Sequence, residues 1–240
     1  MRAGGLRVHV RSPLPLEALR CGGDWAASFP IVRMQAIDAG VANFAGTIQS
    51  TSYGGDGEIA GSRELRKLVW FNPAGEPTLP CARTEAEKIF EILERAPGPT
   101  RFLARALNDH EWYELYDSHD VIFYYGHGLT VGGHPAILSR NGRAPFFAPV
   151  AANPERAAGR LLVFAACLSG GQTSFRNHTG AVVYPTCRLA DRPSDFLIEF
   201  CEAWRSGLRI PAAFAAAARR DEAAGDMRRF VFRLQGAGTR

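Results

Sequence analysis

VIFYYGHGLT (residues 121–130) and LLVFAACLSGG (161–171) decide how this chain is read. Each opens as a run of large apolar and β-branched residues and closes on glycine, the pattern of a buried strand. The first delivers His127 between Gly126 and Gly128; the second delivers Cys167 ahead of a Ser-Gly-Gly turn. Two such strands, side by side and parallel, bring imidazole and thiol out together at the carboxyl edge of one sheet. That is a base and a nucleophile on a rigid platform, as Cys–His acyl transfer requires.

Outward from these strands the same punctuation recurs. KLVWF (67–71) reads as a core strand stopped by Asn72-Pro73 and Gly75. Thr84 is expected to open a helix, with Thr-Glu-Ala-Glu forming a capping box through Glu87. Ala86, Ile89, Phe90 and Leu93 then recur at helical spacing and cover one sheet face. RFLARAL (101–107) is a candidate short strand, and Asp109 a candidate cap for the helix HEWYELY. PAILSR (135–140) and NGRAPFFAPV (141–150) read as a hairpin turning on Asn141-Gly142. Asn153-Pro154 opens a short helix before the Cys167 strand, and GAVVYP (180–185) is a further strand. Helices follow at about 194–206 and 210–222, and FVFRL (230–234) closes the series. Strands alternating with helices give an α/β fold with a largely parallel sheet, whose sites gather at the carboxyl ends of the strands. In residues 1–60, LRVHV (6–10) and IVRMQAI (31–37) read as strands and PLEALR (15–20) as a short helix. SYGGDGEIAG (52–61) reads as a Gly-rich loop joining that section to the rest.

Bulk properties narrow the function. A chain of 240 residues holds one large α/β domain, or a medium domain with an extension. A net charge of +4 is small at this length, and no basic stripe is interleaved with aromatics, so nucleic acid is not an expected partner. Lysine occurs only at Lys67 and Lys88; the remaining positive charge is arginine, which with the Ala-rich tracts fits a GC-rich bacterial genome. MRAGGLRVHVRS has no apolar core of signal-peptide length, and LLVFAAC and AAFAAAA are too short to span a bilayer, so no membrane partner is expected. Cys21, Cys81, Cys167, Cys187 and Cys201 are odd in number, scattered and without a CxxC pair, which points to a reducing cytoplasm. The glycines of 52–61 fit no phosphate loop and no Gly-Lys-Ser/Thr follows. His134 and His178, weighed with His127 and Cys167 as metal ligands, include no i, i+4 pair, so neither a metal nor another cofactor is expected. No Gly-x-Ser-x-Gly elbow offers a serine nucleophile.

An apolar strand ending in His-Gly, then one ending in Ala-Cys-x-Ser-Gly, resembles the caspase-like cysteine peptidases. The likeness is to the CHAT-domain branch, related to caspases and separases. LVWFNPAGEPTLPCARTEAEKIFEIL resembles that family's opening strand, Asn-Pro turn, Leu-Pro and acidic helix. SHDVIFYYGHG and GRLLVFAACLSG resemble its His and Cys strands. AVVYPTCRLADRPSDFLIEFCEAWRSG resembles the next strand, Pro turn and helix, with a slightly longer segment after Tyr184-Pro185, and FVFRLQG resembles the closing strand. The likeness covers roughly residues 65–236, which makes 61–240 the family-like domain and 1–60 an extension.

The resemblance implies a caspase-like three-layer sandwich with a mostly parallel central sheet flanked by helices. Cys167 is then the nucleophile and His127 its acid–base partner, with the backbone N–H groups of Gly128 and Cys167 as oxyanion donors. It also places Asp191 and Asp195 where that family shapes the substrate pocket, an acidic floor favouring Arg or Lys. On the residues alone, Asp191 or Ser194 serves equally to cap the helix DFLIEFCEAW, while Arg188 and Arg192 favour an acidic substrate residue. The expected function is a cytoplasmic cysteine endopeptidase, cleaving a specific protein or peptide substrate through an acyl-enzyme. No 20–50-residue period supplies a repeat sensor, so an activating partner chain is expected. The alternatives are a catalytically silent interaction scaffold of the same fold and an acyl transferase using the same Cys–His dyad.

Overall fold

KLVWF, VIFYY, LLVFA and AVVYP are apolar at nearly every position, so neither face of these strands suits water and both must be covered. The structure is a computed structural model and describes residues 20–21, 24–25, 64–131, 134–145, 160–167, 181–185, 189–224 and 231–235. From Glu64 onward the chain runs β1 (Lys67–Phe71), α1 (Pro80–Glu94), β2 (Thr100–Ala104), α2 (Asp109–Ser118) and β3 (Val121–Tyr125). It continues through β4 (Leu129–Val131), β5 (His134–Ser139), β6 (Gly142–Pro145), β7 (Leu161–Ala165) and β8 (Ala181–Pro185). The helices α3 (Phe196–Arg205) and α4 (Ile210–Ala224) precede β9 (Phe232–Gln235).

Six of these strands form the central sheet in the order β9-β8-β7-β3-β1-β2. All neighbours are parallel except the edge strand β9, which runs antiparallel to β8. Alternation along the strands sends Val69, Phe71, Phe123, Tyr125, Val163 and Val183 under α1, α3 and α4. The opposite set, Leu68, Trp70, Ile122, Tyr124, Leu162 and Phe164, packs under α2. The result is a three-layer α/β sandwich with a mostly parallel sheet. On the α2 side an aromatic slab crosses the sheet: Trp112 lies 4.9 Å from Trp70, Trp70 4.9 Å from Tyr124, and Tyr124 stacks on Phe164 at 5.0 Å. β4, β5 and β6 form a separate antiparallel sheet.

The amino edge of the central sheet is closed by polar clamps. The N–H groups of Asp120 and Val121 both donate to the Arg66 carbonyl, Leu161 N–H donates to the Asp120 carbonyl, and Ala181 N–H to the Arg160 carbonyl. Lys67 is buried, and its ammonium donates to the carbonyls of Ala96, Pro97 and Gly98 at 3.0, 2.5 and 2.9 Å. Burial holds this lysine below its ordinary pKa, while the three carbonyls supply the partners that a buried cation needs. Arg160 is also buried, donating to the Asp117 carbonyl and lying 4.8 Å above the Tyr116 ring.

Three local expectations are corrected. α1 starts at Pro80 rather than Thr84, and its N-cap, Leu79, makes no side-chain cap. Proline at the first helical position forfeits only an N–H that would lack a partner anyway. The cap comes from far along the chain: the Asp191 carboxylate accepts from Cys81 N–H at 3.2 Å and Ala82 N–H at 2.9 Å. Thr84 instead donates its hydroxyl to the Pro80 carbonyl, and Glu87 pairs with Arg83. In α2 the cap is Asn108, not Asp109, in a capping box closed by Glu111. The hairpin forms, but Ser139 pairs with Gly142, so its turn residues are Arg140 and Asn141.

A two-residue ribbon pairs Arg20–Cys21 with Asp24–Trp25, so Arg20 is extended rather than the end of a helix. The other expectations for residues 6–19, 31–37 and 52–61, and for the helix at Asn153-Pro154, fall outside the described residues.

Candidate active site

The sheet register decides where the two chemical residues stand. β3 and β7 are parallel neighbours, with Val121 opposite Leu161 and Tyr125 opposite Ala165. His127 and Cys167 each lie two residues beyond the last of these pairs, so both emerge at the same carboxyl edge. Backbone contact persists past the sheet. A β-carbon at Gly128 would fall 1.9 Å from the Cys167 carbonyl oxygen and 2.8 Å from its carbonyl carbon and nitrogen. Only glycine admits that approach. Among the described residues the N–H groups of Gly128 and Cys167 donate to no backbone acceptor.

His127 is gripped at three points. Its Nε2 lies 2.8 Å from the Pro77 carbonyl oxygen. A carbonyl only accepts, so Nε2 carries the proton and, in the neutral ring, Nδ1 is left as the base. Gly75 lies against the ring: a β-carbon there would meet Cδ2 at 2.6 Å, and its φ of +104° already favours glycine. The His127 carbonyl accepts from the Tyr124 hydroxyl at 3.2 Å. Tyr124 is fully buried, and desolvation raises its pKa far above the ordinary phenol value, which keeps the donor proton in place.

Cys167 is partly buried. Its sulfur accepts from Leu189 N–H at 3.2 Å and faces the Leu189 carbonyl at 3.5 Å. Both contacts come from the backbone of one residue, which fixes where the sulfur sits. No hydrogen bond joins His127 to Cys167 in this state: each is held by a backbone group of a third segment. Cys201 makes an informative contrast, since it is buried in the core and burial pushes its thiol up to about 12.

The structure brings His127, Gly128 and Cys167 together. It places Asp191 close by in the chain fold, two residues from the Leu189 that touches the sulfur, but with its carboxylate turned onto the start of α1. Asp195 is exposed at the N-cap position of α3 and makes no side-chain cap, and the Ser194 hydroxyl accepts from Phe196 N–H at 3.4 Å. Cys187, Arg188 and His178 fall outside the described residues. Among the described residues no group of three His, Cys, Asp or Glu side chains is placed to hold a metal ion. No described helix is long and apolar enough to cross a membrane.

Sequence reasoning took Asn72 and Gly75 only as the stop of a strand, and did not single out Pro77, Tyr124 or Leu189. Asn72-Pro-Ala-Gly-Glu-Pro77 carried a usable signal: a turn of six residues leaving a buried strand one position from the His strand must overhang that strand's end. Leu189 carried none, since an apolar residue that contributes only its backbone leaves no mark in composition. No protein-family model matches this sequence, and no curated protein is significantly similar to it.

Proposed function

We propose that this chain is a cysteine endopeptidase of the caspase-like, CHAT-domain type, acting through Cys167 and His127. The observation that carries the reading is the matched emergence of the two residues from neighbouring parallel strands, with Gly128 packed against the Cys167 backbone. In the proposed reaction the Cys167 thiol gives its proton to His127 Nδ1 and the sulfur attacks the scissile carbonyl. The N–H groups of Gly128 and Cys167 take up the oxyanion. Collapse of the tetrahedral intermediate breaks the C–N bond, and the imidazolium returns its proton to the departing amine. Water, deprotonated by the same imidazole, then cleaves the thioester, releases the carboxylate product and restores the thiol.

Dependence on an activating partner fits the geometry before substrate arrives, where sulfur and imidazole are each engaged by backbone rather than by one another. Catalytic hydrogen bonds of this kind tighten on binding. The substrate is a protein or peptide met in the cytoplasm. Asp195, exposed beside the site segment, is the better placed of the two carboxylates to meet a basic side chain, because Asp191 is committed to α1.

The test is the pH dependence of iodoacetamide alkylation at each cysteine, read by mass spectrometry in the parent chain and in His127→Ala. Cys167 is expected to react faster than Cys81 across the pH range and to slow when His127 is removed. A Cys167 that matches Cys81 and ignores His127 overturns the peptidase reading in favour of the silent scaffold.

A further inference from the structure

One side chain reaches both structures that grip His127. Asn72 leaves the end of β1 and is fully buried. Its Nδ2 donates to the Leu138 carbonyl at 2.8 Å and to the Tyr124 hydroxyl at 3.4 Å, and its Oδ1 accepts from Ala74 N–H at 3.1 Å. The amide orientation is fixed by chemistry. Flipping it would set Oδ1 against the Leu138 carbonyl, two acceptors face to face, and leave Ala74 N–H without its acceptor. The two ends therefore do separate jobs. Oδ1 closes the turn that carries Gly75 against the imidazole and Pro77 against Nε2. Nδ2 orients the Tyr124 hydroxyl, whose proton holds the His127 carbonyl.

We infer that Asn72 is the positioning residue for His127: one buried carboxamide locks the turn that selects the Nε2–H tautomer to the strand end that carries the ring. The inference rests on His127 serving as the base, but it concerns ring geometry and is measurable without any substrate. Besides the His127 ring's own contact with the Pro77 carbonyl, Asn72 ties the two segments through a side chain. Backbone pairing joins them once, through Asn72 N–H to the Tyr125 carbonyl at 2.7 Å, and that bond persists whatever residue stands at 72. A filler that merely satisfied the turn would cost stability when removed and leave the imidazole as it was. A positioning residue changes the imidazole.

The experiment is long-range 1H–15N correlation of imidazole nitrogens in 15N-histidine-labelled protein, with His127→Ala assigning the signal. It is run on the parent, Asn72→Ala and Tyr124→Phe, alongside thermal unfolding. The parent is expected to show the Nε2–H tautomer. In folded Asn72→Ala the ratio of Nε2–H to Nδ1–H forms should fall by about fivefold, the factor that one ordinary hydrogen bond carries. Tyr124→Phe, which removes a single hydroxyl, should move the His127 signals in the same direction by less, and it decides the matter if Asn72→Ala does not fold. His127 signals and titration unchanged from the parent in a folded variant overturn the inference. Alkylation of Cys167 in the same samples keeps the two ideas apart. A thiol indifferent to His127 removes the peptidase reading, while the tautomer ratio still decides what Asn72 does.

Discussion

Gly128→Ala tests whether the His and Cys strand ends meet as closely as the fold places them. The new β-carbon would lie 1.9 Å from the Cys167 carbonyl oxygen, against the 3.4 Å at which ordinary contact begins. The backbones must therefore part by roughly 1.5 Å along that line. Neither can swing aside cheaply, because both are tethered two or three residues back by the β3–β7 ladder. Overpacking of this kind costs about 1–3 kcal/mol. At ~2–4 °C per kcal/mol for a chain of this size, the melting temperature should fall by about 2–12 °C. The chemical effect should be larger, since a displacement of about 1 Å at a reacting group is worth on the order of a hundredfold. The assay is the alkylation rate of Cys167 at pH 6–7, in protein held well below its melting temperature. Cys201 serves as the internal monitor of folding, because its buried thiol reacts only in opened molecules. The Cys167 rate should drop to the level of His127→Ala while Cys201 stays protected. A variant that melts with the parent and alkylates at the parental rate would refute the close approach and the site built on it.

Two further predictions concern stability. Asp191→Ala removes the acceptor for two N–H groups at the start of α1 and should cost about 1 kcal/mol by urea unfolding, whereas Thr84→Ala, which caps nothing, should cost clearly less; the reverse order would restore the local capping box. Glu111 is held down to about 2 from an ordinary 4.5, first by its hydrogen bond from the Arg105 side chain and then by that from Asn108 N–H. The unfolded chain thus binds the extra proton between those values, so this contribution is complete above about 4.5 and is lost as pH falls toward about 2. Glu111→Gln should flatten the acid limb of the stability–pH curve in that window, and an unchanged limb would show that the pair is inert.

The central strands were legible because their sequences do not alternate: four apolar runs that tolerate no wet face have one economical arrangement, a sheet covered on both sides. From that alone His127 and Cys167 could be placed at one edge. What stayed hidden were choices made by distant partners. Thr84 and Glu87 satisfy a local capping rule, yet a carboxylate over a hundred residues away takes the role one turn earlier. Asn108 and Asp109 are equally good cap residues by type, but only Asn108 has a glutamate three residues on, Glu111, to close the capping box. Leu129–Val131 was unreadable as a strand because it follows Gly-His-Gly directly and finds its partner only in β5. The clasp on sulfur by Leu189 is pure backbone, invisible to any reading by side-chain chemistry.

The stitched amino edge has an evolutionary consequence. With Arg66, Asp120, Leu161, Arg160 and Ala181 joined in a row, and Lys67 fastening the turn beside them, one rim of the sheet behaves as a hem. Those bonds hold the strand starts in register without help from the segments that leave the opposite rim. Lineages can then lengthen, shorten or retype those segments one at a time and try new recognition surfaces, while the platform beneath them keeps its shape.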